Sequence, residues 1–301
     1  MMAPSMRANG FLCSIVGTLC LISLLLLVAC ENETQVHSDR PRLVTNVVMK
    51  DVTFRSASLN RNMQYRLVLP ASISVGTKLP VVYLLHGGGG GFRDWSNYSD
   101  VARFAEHGLI LVMPEGDESY YTNSVSRPQD RYEDYIVNDL VADVEGRFPA
   151  SSDRANRAII GVSMGGFGAV KLALSHPQLF VFAGGLSSAV DVPSRPFSIK
   201  RVSQWSHHKS IFGPWKSEAR RNNDPFVLAR SVDPSKIPYL FLTCGQQEGL
   251  LPSNQQLAAL LQARHFNSEF HAVAGGHNWN QWNGQLAACF ESLLKHIGRK
   301  S

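Results

Sequence analysis

Ala158-Ile159-Ile160-Gly161-Val162-Ser163-Met164-Gly165-Gly166 starts as a continuous apolar run and ends in small residues. A run so short and so evenly apolar fits a strand buried on both faces of a sheet. Residues 165–175, directly after it, have the length and composition of a helix. Between the two lies the pattern Gly-x-Ser-x-Gly. In a strand-to-helix turn this tight, a side chain at either glycine would collide with neighbouring backbone, while the serine hydroxyl projects clear of the sheet. Ser163 is therefore the candidate nucleophile.

Working outward, the same kind of apolar run recurs at residues 81–85, 109–113 and 239–242, and residues 270–273 read as a further strand. Helix-length stretches separate them at residues 132–148, 254–266 and 282–297. Repeated strand-helix-strand units call for a mostly parallel central sheet with helices on both faces, an α/β class in which ligands bind at the carboxyl ends of the strands. Residues 47–54 and 64–69 instead alternate apolar with polar side chains, as half-buried antiparallel strands do. Residues 191–237 break the alternation with prolines, Trp205 and Trp215, and are expected to form a long irregular, lid-like insert over the site. The two tryptophans fit a pocket lining and body packing equally well.

A serine hydroxyl is a poor nucleophile until a base takes its proton, and in a strand-turn-helix setting of this kind the base comes later in the chain. His277 follows Gly275-Gly276 after the strand at 270–273, which puts it on a loop at the carboxyl edge of the sheet. His86 precedes Ser163, His176 lies at the far end of its helix, and His296 lies in the terminal helix. The imidazole needs a carboxylate to orient it, and chain order asks for one between Ser163 and His277. Glu248, after the strand at 239–242 and the turn Cys244-Gly245, fits. Asp224 and Asp233 have the right order, but each precedes a proline and is explained by a turn or cap. Donors for an oxyanion are supplied by His86-Gly87-Gly88-Gly89-Gly90-Gly91 after the strand at 81–85: the amide of Gly88 or a glycine beside it, together with that of Met164. The glycine run lacks the Lys-Ser/Thr ending of a phosphate-binding loop. No step of this chemistry asks for a metal or cofactor.

These motifs, together with Asp94-Trp95, Val112-Met113-Pro114, the run GVSMGGFGAV over 161–170 and Gly276-His277-Asn278-Trp279 with Trp282, resemble the putative esterase family. That family takes in esterase D, feruloyl, acetyl xylan and tributyrin esterases, and mycolyltransferases of the antigen 85 type. The resemblance covers nearly all of the chain after Val44. It implies an α/β-hydrolase fold with Ser163 as nucleophile, His277 as base, Glu248 as acid, and the amides of Gly88 and Met164 as oxyanion donors. Many members have Asp where Glu248 stands, and Asp where Asn278 follows the histidine.

The N-terminus reads as an export signal. Arg7 precedes an apolar run over residues 11–29 that ends in Leu27-Val28-Ala29-Cys30. A small residue directly before a cysteine, after aliphatics, resembles the lipobox of bacterial lipoproteins. Residues 1–29 are then a cleaved signal peptide, Cys30 carries lipid, residues 30–42 are a flexible linker, and residues 43–301 are the catalytic domain. An uncleaved signal anchor is the alternative. The expected location is the bacterial cell envelope, tethered to a membrane. Of the five cysteines, only Cys244 and Cys289 remain outside the leader and Cys30; pairing in an oxidising compartment is one reading, but both sit in apolar stretches that better suit buried free thiols. No metal-ligand spacing is present.

The formal charge of +5 is local, because residues 195–230 carry eight Lys and Arg against Glu218 and Asp224. Without a nucleic-acid-binding signature, such a cluster suits an anionic surface or substrate, or a solvated face. The expected function is hydrolysis of carboxylic esters through an acyl-serine. The alternatives are acyl transfer to a carbohydrate or lipid alcohol, and a surface-binding lipoprotein on an inactive scaffold.

Overall fold

A computed structural model describes residues 39–197, 199 and 202–298. The leader, Cys30 and most of the linker lie outside the described residues. Eight strands form one sheet in the order β1-β2-β4-β3-β5-β6-β7-β8. β1 (Val47–Ser56) and β2 (Arg61–Pro70) form an antiparallel hairpin, and β2 pairs antiparallel with β4 (Ile110–Pro114). β3 (Val81–Leu85), β4, β5 (Arg157–Val162), β6 (Phe182–Leu186), β7 (Tyr239–Gly245) and β8 (Ser268–Val273) pair in parallel. This is the expected α/β-hydrolase architecture.

Side-chain alternation across the central strands explains the uniform apolar runs. Val81, Tyr83, Leu85 and Ile159 enter one core layer, whereas Val82, Leu84, Ala158, Ile160 and Val162 enter the other. The helices are α1 (Asp94–Tyr98), α2 (residues 132–147, with a π-helical middle at Tyr135–Leu140), α3 (Met164–Ser175), α4 (Val202–Phe212), α5 (Glu218–Asn222), α6 (Pro225–Ser231), α7 (Leu251–Ala263) and α8 (Trp279–Leu294). α2, α3 and α7 cover the first layer through Leu140, Ala169 and Leu257; α1 and α8 cover the second through Trp95, Leu286 and Phe290. No helix among the described residues is long and apolar enough to cross a membrane.

Three features differ from expectation. β6 has no counterpart in the reading of apolar runs, because its centre is Gly184-Gly185. A Cβ at Gly185 would lie 2.5 Å from Ser188 Oγ, and one at Gly184 would lie 3.1 Å from Ile160, so the close approach of neighbours excludes the β-branched residues that usually mark a strand. The second half of β2 is buried on both faces rather than half-buried, since Tyr65, Leu67 and Leu69 enter one core layer and Val68 the other. Even Arg66 is fully enclosed, with Asp51 taking its guanidinium at 2.7 and 2.9 Å. The insert at 191–237 is helical rather than irregular. Its helices α4, α5 and α6 are short, and the latter two start on local caps: Ser217 accepts from the Arg220 amide, and Asp224 from the Phe226 amide with Pro225 in the first turn.

Arg40 and Arg42 already belong to the compact unit that runs from Arg40. Their amides donate to Asn97 Oδ1 and the Ser96 carbonyl. Cys244 and Cys289 are buried free thiols.

Candidate active site

β5 delivers Ser163 at its carboxyl end, and α3 begins one residue later. Ser163 has φ 54°, a left-handed conformation that costs a non-glycine residue energy and is held by the packing around it. The flanking glycines are sterically required: a Cβ at Gly161 would sit 2.1 Å from the Gly165 carbonyl oxygen, and one at Gly165 would sit 2.2 Å from that of Leu85. Met164 is the first residue of α3, where helical amides have no intrahelical acceptor.

The structure brings Ser163, His277 and Glu248 into one hydrogen-bonded line, although 114 residues separate the first two. His277 Nε2 is 2.8 Å from Ser163 Oγ, and His277 Nδ1 is 2.7 Å from Glu248 Oε2. A carboxylate only accepts, so Nδ1 carries the ring proton and Nε2 is left to accept from the serine hydroxyl. The Glu248 side chain is 1% exposed. Its second oxygen, Oε1, accepts from Ser187 Oγ at 2.6 Å and from the Gly245 amide at 2.8 Å. Burial works to raise the Glu248 pKa, but the hydrogen bonds from His277, Ser187 and Gly245 outweigh it and hold the carboxyl below its ordinary value.

Ser187 escaped sequence reasoning. It follows β6, has φ 50°, and accepts from Trp282 Nε1 at 2.9 Å while donating to Glu248. The Trp282 indole also packs edge-on against the His277 ring, centroids 4.9 Å apart. A serine directly after an unnoticed strand offers no pattern to read; Trp282 was visible only as part of a motif.

The glycine loop after β3 sits against the nucleophile, since a Cβ at Gly87 would lie 3.4 Å from Ser163 Cβ. Acidic side chains shape it. The Gly89 amide donates to Glu118, the Phe92 amide donates to Glu115 at 3.3 Å, and Gly88 lies beside the Glu118 carboxylate. His86 is buried under the loop: Nδ1 donates to the Gly87 carbonyl at 2.8 Å, and Nε2 faces Glu115 and the Gly116 amide. His176 pairs with Glu133, and His296 stacks on Tyr239. Asp224 and Asp233 cap short helices. None of these side chains joins the Ser163 line.

The insert reaches the glycine loop. A cavity of about 490 Å³ is lined by Gly88, Glu118, Tyr120, Arg195, Ser203, Gln204, His207 and His208. His207 Nε2 donates to the Glu118 carbonyl at 2.7 Å. Burial first, then the nearby Arg195 and His207, push the His208 pKa down to about 4, so this imidazole is neutral at physiological pH. Trp205 packs against Phe197 and under Lys209, whereas Trp215 is 42% exposed and lines a second cavity. Among the described residues no group of three or more His, Cys, Asp or Glu is arranged to hold a metal.

The family model described as "Putative esterase" matches residues 56–293. An acetyl esterase of Caldicellulosiruptor saccharolyticus is 24% identical over 264 residues, covering 83% of this chain and 99% of that protein. The diacylglycerol acyltransferase/mycolyltransferase Ag85A of Mycobacterium tuberculosis is 25% identical over 260 residues, 75% of this chain and 76% of its own. Among solved structures, the Staphylococcus aureus fluorophosphonate-binding serine hydrolase FphF superimposes with a TM-score of 0.72 at 24% identity, covering 83% of this chain and 99% of its own. The chain belongs to the putative esterase family and is a carboxylic-ester hydrolase.

Proposed function

We propose that the chain cleaves carboxylic esters through an acyl-serine on Ser163, with His277 as general base and Glu248 as the acid of a Ser-His-Glu triad. His277 Nε2 takes the Ser163 proton as Oγ attacks the ester carbonyl, and returns it to the departing alcohol. Water, deprotonated by the same nitrogen, then releases the acid. The amides of Gly88 and Met164 stabilise the oxyanion. The observation that carries this reading is the unbroken line from Ser163 Oγ through both ring nitrogens of His277 to a buried carboxylate at 2.8 and 2.7 Å. Ser163→Ala should lower hydrolysis of p-nitrophenyl acetate at least about a thousandfold with the fold intact. Rapid quench should place the acetyl group on the peptide containing Ser163; turnover near wild type in the variant, or acetyl on another residue, refutes the assignment.

Acyl transfer is the second reading, supported by the relative named as an acyltransferase. The same acyl-enzyme serves it if an alcohol outcompetes water. Product partitioning with a carbohydrate or lipid alcohol present separates the two.

The chain is further proposed to be exported and anchored through lipid on Cys30. The support is the Leu27-Val28-Ala29-Cys30 ending of the apolar leader. Cys30→Ala should release the protein from membranes; full retention points to an uncleaved anchor.

A further inference from the structure

A second cavity, of about 350 Å³, lies in the insert and shares no lining residue with the triad or the glycine loop. Pro193, Ser194, Trp215, Lys216, Arg220, Arg221 and Asp224 line it. Three of these are cations, and among the described residues no carboxylate pairs with Lys216, Arg220 or Arg221. Asp224, the one acid present, is committed to the α6 cap through the Phe226 amide at 2.8 Å. Arg220 is 3% exposed, yet only part of its guanidinium is satisfied. Nε donates to the Gly213 carbonyl at 3.0 Å and Nη1 to the Pro193 carbonyl at 2.8 Å, while Nη2 is buried without an acceptor. A buried donor left unpaired is costly and calls for a missing partner. Burial also pulls the Arg220 pKa down, a cost that a nearby anion would offset. The Arg220 guanidinium lies over the Trp215 ring, 5.8 Å from its centroid, and both groups border the cavity.

We propose that this cavity binds a hexose carrying one anionic group, a carboxylate or a phosphate. Lys216, Arg220 and Arg221 receive the anionic oxygens, and the Trp215 indole takes the C–H face of the ring. Guanidinium and ammonium groups with no carboxylate partner select an anion. The half-exposed indole offers an apolar contact that a bare inorganic ion cannot use. The site accounts for three of the eight cations in the basic cluster that the ester chemistry leaves unused.

Titration of the full-length protein with D-glucuronate and with glucose 6-phosphate, followed by tryptophan fluorescence, tests this and distinguishes the two anions. At least one should give a saturable change that Trp215→Phe removes, which assigns the signal among the five tryptophans. Lys216→Ala with Arg221→Ala should weaken that binding about tenfold, the scale of two exposed charge contacts. Both side chains are exposed, so the circular dichroism spectrum should be unchanged. Uncharged glucose should not bind, and 0.5 M salt should weaken the complex. The proposal fails if neither anion saturates, if glucose binds equally well, or if the double variant binds as tightly as wild type. Ser163→Ala should leave this binding intact, so loss of esterase activity and loss of the anion site are read separately.

Discussion

Glu248→Gln changes one atom and one charge, and its consequence follows from the contacts of the carboxyl group. Oε1 accepts hydrogen bonds from Ser187 Oγ and the Gly245 amide, and Oε2 accepts one from His277 Nδ1. A carboxamide can keep the first pair with its carbonyl oxygen, which turns its NH2 toward His277. That group only donates, so Nδ1 must become the acceptor and the neutral ring proton moves to Nε2. Nε2 then points a hydrogen at Ser163 and can no longer take its proton. Flipping the amide restores the right tautomer but sets NH2 against the Gly245 amide, leaving a buried donor unpaired at a cost of about 1–3 kcal/mol. The wrong tautomer therefore dominates, and the anion that stabilises the imidazolium is gone. Together these should lower kcat by about ten-thousandfold, or roughly 5 kcal/mol of barrier. The assay is p-nitrophenyl acetate hydrolysis, with thermal unfolding as the control for structure. Turnover within about tenfold of wild type in a folded Glu248→Gln variant would refute the reasoning.

Ser187→Ala leaves Glu248 Oε1 with one donor and Trp282 Nε1 with no acceptor, so kcat should fall about tenfold at unchanged KM, with the acid limb of the pH–rate profile displaced. A variant that alters KM alone would make Ser187 a substrate contact instead of a positioning residue. Asp224→Asn and Asp233→Asn should each cost less than about tenfold in turnover, because asparagine preserves a cap; a crippled Asp224→Asn enzyme would move the acid into the insert. At Glu133, burial favours the neutral acid, but Lys171 at 2.6 Å and His176 at 2.7 Å pull the pKa down to about 2. The folded value lies below the unfolded one. Its contribution, about 3 kcal/mol, is therefore present above about pH 5 and is lost as pH falls toward 2. Urea unfolding at stepped pH should show Glu133→Gln less stable at pH 7 and less sensitive to acid below pH 5; parallel curves for the two proteins would contradict this.

The amino-acid sequence alone determined the parallel core and placed the candidate catalytic residues on it. Apolar runs at residues 81–85, 109–113, 158–162 and 239–242 are legible because a strand buried on both faces has no polar position, whatever its neighbours are. Ser163 and Glu248 are legible because each follows such a strand, and His277 because it follows the edge strand β8; all three stand at the carboxyl edge of the sheet. Where a residue's role depends on what approaches it from afar, local pattern carries no signal. β6 went unread because its glycines answer to Ile160 and Ser188, and Ser187 because its partners are Glu248 and Trp282, 61 and 95 residues away. The insert read as irregular because helices of five to eleven residues are too short for a clear period and are held by caps and packing. Only the tertiary structure decided which of eight clustered cations face one cavity: chain proximity sets the charge of a segment, but folding alone sets which side chains share a wall and which are left without a partner.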